Sequence, residues 1–539
     1  MAINLTSKNI LVIEDHESMR ETLIHILGSL GARFIVTAAS GIDAINAMRI
    51  DTFDLVLCDY NLLGDKNGQQ ILDDAKQLKL LPVSAIFIMV TGENRLELVL
   101  TAVDNKPDDY LIKPISREQL SSRLERCATR KTYLASVEQE IDKGNLYQAI
   151  QHCERLLTLN DKKMRQPLLK LQAELSLKVG DFKKAEEIYQ DILIERDLPW
   201  ARLGLGVVAF LLGSIDQAIN IFQGLIEQYP MMLEAYDWLV KVHESLGDNQ
   251  SALAVLNLAV TLTPMSILRQ QKLALLADKT ENHDIAKKAY TESIKLGRNS
   301  IHRSSSDYSG LANVYLKTNT PDMALKVVLE MSRQYQNNPE ASLKASLLQS
   351  KIHQTSGNKM LARQAYDKAL DLNAQINKQL PRELRLEIAK TFYLNGNSAT
   401  CDEILNDLVK TNIDDKLFIK DIVALCDSVI GENHAATLIE QLQIELTDIN
   451  NNGVRLFRAG DLKGALAEFE LAIANRPENH GLVLNRLRLI IHDLKSSPDP
   501  EKILRAQSYI NQALEIGIPH DQTKRLQIEL DKLQHKIHH

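Results

Sequence analysis

Short apolar runs alternate with amphipathic stretches between positions 1 and 128 of the chain. The runs are rich in β-branched residues and occupy 9–14, 32–39, 54–59, 83–91 and 109–113. Between the first two runs, apolar side chains recur at helical spacing, as Met19, Leu23, Ile26, Leu27 and Leu30. Five strands that alternate with helical stretches predict an α/β fold, a doubly wound five-stranded parallel sheet, for residues 1–128.

The pattern changes near residue 131, beyond which almost no period-two apolar run remains. A unit of the form G-[DNS]-x-x-x-A recurs instead, as GNLYQA (144–149), GDFKKA (180–185), GSIDQA (213–218) and GDNQSA (247–252). Weaker copies follow, among them ENHDIA (281–286), NTPDMA (319–324), GENHAA (431–436) and GDLKGA (460–465). The alanines that end the first five copies recur at nearly constant intervals. Their period, about 34 residues, predicts a series of helix–turn–helix units.

In several units, large and small side chains recur at the positions that packed helix pairs require. An aromatic residue follows the anchor alanine by four positions in several units, as Tyr189, Phe222, Tyr290, Tyr366 and Phe469. A proline follows the alanine by twelve positions in three units, as Pro230, Pro264 and Pro477. The glycine closes the turn, the alanine lets two helices approach, and the aromatic ring fills the gap between them. The array resembles tetratricopeptide repeats. That resemblance implies an all-α solenoid over residues 129–539, with about ten to eleven helix pairs that are irregular in the middle.

Polar side chains stand where the predicted strands end, which is the edge at which parallel α/β sheets place their chemistry. They are Glu14 and Asp15 after the first run, Asp59 after the third, Thr91 after the fourth and Lys113 after the fifth. Three carboxylates in one pocket repel one another unless a cation joins them, and hard oxygen ligands suit Mg²⁺. We therefore expect a Mg²⁺ site and no other cofactor.

A carboxylate, a hydroxyl and a lysine at this edge predict a phosphoryl-acceptor site. The carboxylate of Asp59 can act as nucleophile and form an aspartyl phosphate. Lys113 can pair with one phosphoryl oxygen and Thr91 can donate a hydrogen bond to another, which stabilises the transferring group. Taken singly, each residue has a structural explanation, because Asp15 could cap a helix and Thr91 could belong to a turn. Their joint occurrence at successive strand ends favours the chemical explanation.

The segments LVIEDHESMR, LVLCDYNL, IMVTGEN and DDYLIKPI resemble those of response-regulator receiver domains, and the resemblance covers residues 9–128. It implies that Asp59 is the phosphorylation site. It also implies that Asp15, Asp59 and the backbone carbonyl of Asn61 bind Mg²⁺ directly, while Glu14 holds a metal-bound water. Glu14 departs from the family, in which aspartate is commoner at this position, so its side chain reaches further.

The same resemblance implies a conformational switch. Thr91 and Lys113 would engage the phosphoryl group, and Tyr110 would turn inward when Thr91 moves towards the phosphate. The peptide bond after Lys113 is cis in that family, and the proline that usually follows the phosphorylated aspartate is missing from the loop after Asp59.

Asn61 and Glu93 flank the reacting centre, where polar groups can align an attacking water, so we expect fairly rapid hydrolysis of the phosphoryl group.

Composition narrows the class of protein. The chain has 539 residues, a formal net charge of −7 and a pI near 6.1, which argues against a nucleic-acid partner. No apolar stretch approaches the roughly 20 residues that a membrane span needs, and we expect neither a signal peptide nor a membrane partner.

Five cysteines without paired spacing predict buried free thiols in a reducing cytoplasm. The repeats contain no constellation that suggests catalysis, so we expect that the protein is not an enzyme.

These features predict a bacterial-type, cytoplasmic response regulator of two-component signal transduction. A histidine kinase or a phosphotransfer protein would phosphorylate Asp59 in a phosphorelay, and the change at Thr91 and Tyr110 would reach the face around residues 94–116. That change would alter either docking on the repeats or formation of a homodimer, and the repeats would bind an unidentified protein. The alternative is a constitutive repeat scaffold whose receiver acts as a phosphate sink or relay element.

Overall fold

The computed structural model describes most of the chain. The described residues are 5–62, 66–92, 106–159, 161–376, 380–412, 416–429, 439–440, 451–475, 480–497 and 499–515, with a few positions between 523 and 533. The chain forms two compact units, Met1–Arg333 and Gln334–His539.

The first unit begins with a five-stranded parallel sheet in the order β2-β1-β3-β4-β5. Its strands are β1 (Asn9–Ile13), β2 (Phe34–Ala38), β3 (Leu55–Asp59), β4 (Ile86–Thr91) and β5 (Asp109–Ile112). Helices of this domain are α1 (Glu17–Ser29), α2 (Gly41–Ile50), α3 (Gly68–Gln77) and α4 (Arg117–Asp142). The predicted doubly wound sheet is therefore confirmed.

The sheet has an apolar core on each face. Every residue of β3 and β4 is buried, as expected for parallel strands that helices cover on both sides. Alternate residues of a strand point to opposite faces. Thus Ile10 and Val12 belong to the core cluster under α1 and α4, whereas Leu11 and Ile13 belong to the cluster under α2 and α3.

Helix α4 is shared between the sheet and the repeats. Ser116 and Gln119 form a capping box at its start. Its first half buries Leu120 and Leu124 in the core of the sheet domain, and its second half buries Leu134 in the first cluster of the repeats. The boundary predicted between residues 128 and 129 therefore falls inside one continuous helix.

The rest of the described chain is helical, which confirms the predicted all-α solenoid. In the first unit the helices are α5 (Leu146–Thr158), α6 (Arg165–Lys178), α7 (Phe182–Glu195), α8 (Pro199–Leu211), α9 (Ile215–Gln228), α10 (Leu233–Ser245), α11 (Asn249–Leu262), α12 (Ile267–Lys279), α13 (His283–Gly297), α14 (Ser305–Lys317) and α15 (Pro321–Gln334). The second unit contains α16 (Pro339–Thr355), α17 (Lys359–Ile376), α18 (Arg382–Leu394), α19 (Ser398–Asn412), α20 (Lys416–Val429), a helical segment at 451–458, α21 (Leu462–Asn475), α22 (His480–Ser496) and α23 (Pro500–Glu515). The weak copy predicted at 431–436 lies outside the described residues, so the number of helix pairs stays a prediction.

The repeat unit has the packing that its sequence pattern predicts. The anchor alanines Ala149, Ala185, Ala218, Ala252 and Ala286 are fully buried. Where an aromatic residue follows four positions after the alanine, it is at most 2% exposed, as at Tyr189, Phe222, Tyr290, Tyr366 and Phe469. The turn glycines adopt positive φ. In two weak copies Glu281 (φ 59°) and Asn319 (φ 53°) occupy the glycine position with the same left-handed backbone. The turn geometry is thus kept where the glycine is lost, against the steric preference of a side chain.

Helix-interior glycines add a packing feature that the sequence pattern did not reveal. A Cβ atom at Gly204 would lie 2.2 Å from the ring of Tyr189, and one at Gly206 would lie 2.6 Å from the ring of Phe222. Gly310 has the same relation to Tyr290. These glycines let the aromatic ring of one helix lie directly on the backbone of a neighbouring helix.

Two further predictions concern composition. All five cysteines lie in the described part of the chain, where each is buried and none is paired. Among the described residues, no helix combines the length and the apolar character that crossing a bilayer demands.

Two glycine substitutions in neighbouring helices should have opposite effects. Gly206→Ala should destabilise helices α8 and α9 by about 1–3 kcal/mol, because the new methyl group overlaps the fully buried ring of Phe222. Gly224→Ala should stabilise them by about 0.5–1 kcal/mol, because that position has open space and alanine favours helices. Hydrogen exchange of residues 199–228 measures both changes. Equal effects would contradict the packing described here.

Candidate functional site

The parallel sheet gathers the predicted site residues at one edge. Glu14 and Asp15 follow β1, Asp59 is the last residue of β3, and Thr91 is the last residue of β4. Lys113 follows β5, and its backbone N–H donates a hydrogen bond to the carbonyl oxygen of Thr91 over 2.8 Å. The strand order places β3 between β1 and β4, so Asp59 lies at the centre of this edge.

Lys113 joins two of the carboxylates. Its Nζ lies 2.8 Å from Oε2 of Glu14 and 2.8 Å from Oδ2 of Asp59. The side chain of Glu14 is fully buried and that of Asp59 is 4% exposed, whereas that of Lys113 is 21% exposed. One carboxylate oxygen from each of Glu14, Asp15 and Asp59 lies within 4.8 Å of those of the other two. The structure therefore brings together the three predicted acids and the predicted lysine.

Burial and charge act in opposite directions in this pocket. Burial raises the pKa of Glu14 above its ordinary value, the hydrogen bond from Lys113 lowers it, and the charge of Asp59 raises it again. Burial disfavours the charge of Lys113, but hydrogen bonds to Asp59 and Glu14 outweigh it and raise the pKa of the lysine. Lys113 is thus held as a cation against two acids.

The acidic pocket fits a hard divalent cation. Oε1 of Glu14 is buried, and within the described part of the chain no group donates a hydrogen bond to it. A buried polar atom that lacks a partner costs roughly 1–3 kcal/mol. Arg20 fixes the backbone here by donating to the carbonyl oxygens of Glu14 (2.7 Å) and Asp15 (3.3 Å). Oxygen donors at this density are the ligands that Mg²⁺ prefers.

The other predicted residues lie around this pocket. The N–H of Asn61 donates to Oδ1 of Asp59 over 3.3 Å, and Thr91 is 5% exposed. Thr91 pairs with Ile112 in the β4–β5 register, so Tyr110, two residues before Ile112, lies on the same face of the sheet as Thr91. Burial raises the pKa of Tyr110 to about 12. The tyrosine is therefore neutral at physiological pH.

The remaining sequence expectations have mixed outcomes. The peptide bond between Lys113 and Pro114 is cis, as the resemblance implies. Glu93, expected to align water, lies outside the described residues, as does 94–105 of the expected switch face. Their roles stay predictions.

Sequence reasoning missed the residues at the start of α3 that pack against the backbone of Asp59. The N–H of Gly68 donates to the carbonyl oxygen of Tyr60 over 2.9 Å. A Cβ atom at Gly68 would lie 2.4 Å from the carbonyl oxygen of Asp59, so no other residue fits there without a shift. Asn67 and Gln70 form a capping box at the start of α3. The pattern of asparagine followed by glutamine three positions later was the signal available in the sequence.

Known families match both parts of the chain. Residues 10–125 match the family described as the response regulator receiver domain. Residues 171–230 and 212–266 match the family described as the tetratricopeptide repeat. The chain thus carries a receiver domain near its N-terminus followed by tetratricopeptide repeats, as its sequence predicts.

Each of the relatives described here matches less than half of the chain. Chemotaxis protein CheY-3 of Vibrio cholerae serotype O1 is 28% identical over 132 residues, which cover 24% of this chain and 98% of that protein. Hybrid signal transduction histidine kinase D of Dictyostelium discoideum is 26% identical over 210 residues, which cover 38% of this chain but 13% of the kinase. A solved tetratricopeptide repeat protein from Parabacteroides merdae ATCC 43184 is 18% identical, covering 47% of this chain and 96% of that one, with a TM-score of 0.29.

Removing the lysine should destabilise the receiver. In Mg²⁺-free buffer, Lys113→Met should lower the free energy of unfolding of the sheet by about 2–4 kcal/mol, because two buried acids lose their shared cation. Urea denaturation followed by hydrogen exchange of β1 and β3 measures this. Lys8→Met is the control: its ion pair with Asp54 is exposed, so the loss should stay below about 1 kcal/mol. Equal losses would contradict a special role for Lys113.

Mg²⁺ should stabilise the receiver through its acids. At a concentration about 100 times the dissociation constant, a bound ion adds about 2.7 kcal/mol to the free energy of unfolding. We expect Asp15→Asn to weaken this stabilisation, because it removes a charged oxygen from the pocket. Asp54→Asn, which changes an acid outside the pocket, should leave it intact. Thermal unfolding with and without MgCl₂ distinguishes these outcomes, and an equal response of both variants would exclude the site.

Proposed function

We propose that this protein is a response regulator that accepts a phosphoryl group on Asp59 and transmits the change through protein contacts of its repeats. One observation carries the proposal. Asp59 is almost fully buried at the centre of the sheet edge, with the ammonium group of Lys113 2.8 Å from its carboxylate. A structural ion pair alone does not require three acids around one lysine, whereas phosphoryl transfer uses all of them.

The proposed step is a transfer from a phosphohistidine. An oxygen of Asp59 attacks phosphorus, the P–O bond forms as the P–N bond to imidazole breaks, and the leaving imidazole takes a proton. Lys113 neutralises charge on the transferring group, and the hydroxyl group of Thr91 donates a hydrogen bond to a phosphoryl oxygen. A Mg²⁺ ion held by Asp15 and Asp59, with Glu14 nearby, would add positive charge at the same oxygens.

The proposal also covers whether the protein is an enzyme, which partners it binds and where in the cell it acts. The accepted group stays on the protein's own side chain, so the protein is a substrate of its kinase and is not classed as an enzyme. Its partners are a histidine kinase or phosphotransfer protein at the receiver and a protein ligand at the repeats. Buried free thiols suit a reducing compartment, which supports a place in the cytoplasm of a bacterium. The net charge of −7 favours proteins over nucleic acid as ligands.

Acetyl phosphate with Mg²⁺ tests the acceptor directly. Mass spectrometry of the intact chain should show one added phosphoryl group, which hydroxylamine removes because an acyl phosphate is labile to it. Asp59→Ala should abolish labelling, and Lys113→Ala should slow it by about 100-fold because a transition-state donor is lost.

The control is Asp54→Ala, which removes an exposed acid near the start of β3 and should label like the parent chain. Labelling of a folded Asp59→Ala variant at the parent rate would refute the assignment, as would a folded parent chain that takes no label.

A further inference from the structure

Within the first unit, one face of the receiver lies against the repeats. The contacts come from the segment before α3, from α3 itself and from the residue Lys106. They are Lys66 Nζ to the carbonyl oxygen of Asn299, Gln70 Nε2 to the carbonyl oxygen of Leu296 (3.2 Å), Lys106 Nζ to Oε1 of Glu234 (2.8 Å), and Asp73 Oδ2 to Nε2 of His302 (3.6 Å). All four are polar, and three of the receiver side chains act as hydrogen-bond donors.

Two of these donors meet the C-terminal end of a repeat helix. Helix α13 ends at Gly297, so its last carbonyl groups lack partners within the helix and carry partial negative charge. The ammonium group of Lys66 and the amide group of Gln70 supply hydrogen bonds at this end. The receiver therefore provides the polar groups that a helix end needs.

The start of α3 is also hydrogen-bonded to the backbone beside Asp59. Oε1 of Gln70 accepts from the N–H of Asn67 over 3.0 Å, while Nε2 of Gln70 points to the repeat helix. The next residue, Gly68, is hydrogen-bonded to Tyr60 and lies directly on the carbonyl of Asp59. A backbone shift beside Asp59 would thus displace the side chain that contacts the repeats.

The facing surfaces do not fill the space between them. A cavity of about 360 Å³ remains, lined by Tyr60 and Asp73 of the receiver and by Trp238, Lys241 and Arg269 of the repeats. Trp238 stacks on Phe222 on one side, and Lys241 Nζ lies 4.1 Å from the centroid of the Trp238 ring. The ion pair of Lys106 with Glu234 is largely exposed to solvent, so it holds the contact weakly. The named contacts, all between described residues, are polar and surround a cavity, so a change of charge on either side can release them.

We propose that the receiver is an internal ligand of its own repeats. The occupied surface, termed the docking surface, consists of Glu234, Trp238, Lys241, Arg269 and His302. The α3 side of the receiver covers this surface in the unphosphorylated chain and leaves it on phosphorylation. The docking stands on the contacts themselves, and its release rests on the proposed function.

Trp238 reports on the docking in the full-length chain. The chain has two tryptophans, so Trp200→Phe leaves Trp238 as the sole tryptophan, whose emission is followed with excitation that spares the tyrosines. In that background, Lys106→Glu sets like charges against Glu234 and should shift the emission to longer wavelength and increase quenching by acrylamide. Adding Glu234→Lys should restore both values. Lys183→Glu, the same charge change at an exposed site on α7, is the control and should change neither.

Beryllofluoride with Mg²⁺, an acyl-phosphate mimic, tests the release. It should produce the same red shift in the Trp200→Phe chain and none when Asp59→Ala is added. No effect of Lys106→Glu, or none reversed by Glu234→Lys, would overturn the docking. A red shift with Lys106→Glu but none with beryllofluoride, in a chain that acetyl phosphate labels at Asp59, would overturn the release alone. Failure of that labelling would instead refute the proposed function.

Discussion

The attraction between Lys113 and the buried acids of the sheet edge is the interaction on which the receiver depends. Two unit charges 4.8 Å apart repel by roughly 3 kcal/mol at the effective dielectric constant of about 20 that suits such sites. Glu14 and Asp59 are at most that far apart, and Asp15 adds a third acid. This repulsion exceeds what an exposed ion pair contributes. The acids therefore need a positive charge beside them, which Lys113 supplies. A phosphoryl group that reached the pocket would compete with the acids for the ammonium group of Lys113.

Within the residues that the structure describes, two connections join this pocket to the repeats. Helix α4 buries its first half in the sheet core and its second half in the first repeat cluster, so it links the two parts rigidly. Residues 66–70 contact the repeat surface, and Gly68 among them is hydrogen-bonded to Tyr60 beside Asp59, so they join Asp59 to the repeats through hydrogen bonds that a small shift can break. A free-energy difference of about 1.4 kcal/mol changes an equilibrium population ratio tenfold. Polar contacts of this kind between described residues therefore suit a two-state switch.

Sequence reasoning predicted what depends on local pattern. Strand ends predicted that Asp59, Thr91 and Lys113 would lie at one edge of the sheet, where the structure places them, because parallel strands bring their carboxyl ends together. The period of the repeats predicted the buried alanines and aromatic residues. Sequence reasoning missed the contact of Gln70 with Leu296, which joins residues 226 positions apart. The predicted domain boundary lies inside α4, because one continuous helix can pack in the core of the sheet and in the core of the repeats.

The central claim is that the repeats respond to the chemical state of Asp59. Hydrogen exchange of the full-length chain, with and without beryllofluoride and Mg²⁺, tests it most directly. The account predicts faster exchange in residues 66–77 and 233–302 of the parent chain, and no change in the Asp59→Ala variant. A response confined to residues 9–125, with the repeats unchanged, would contradict it and favour a receiver that only stores or relays phosphate.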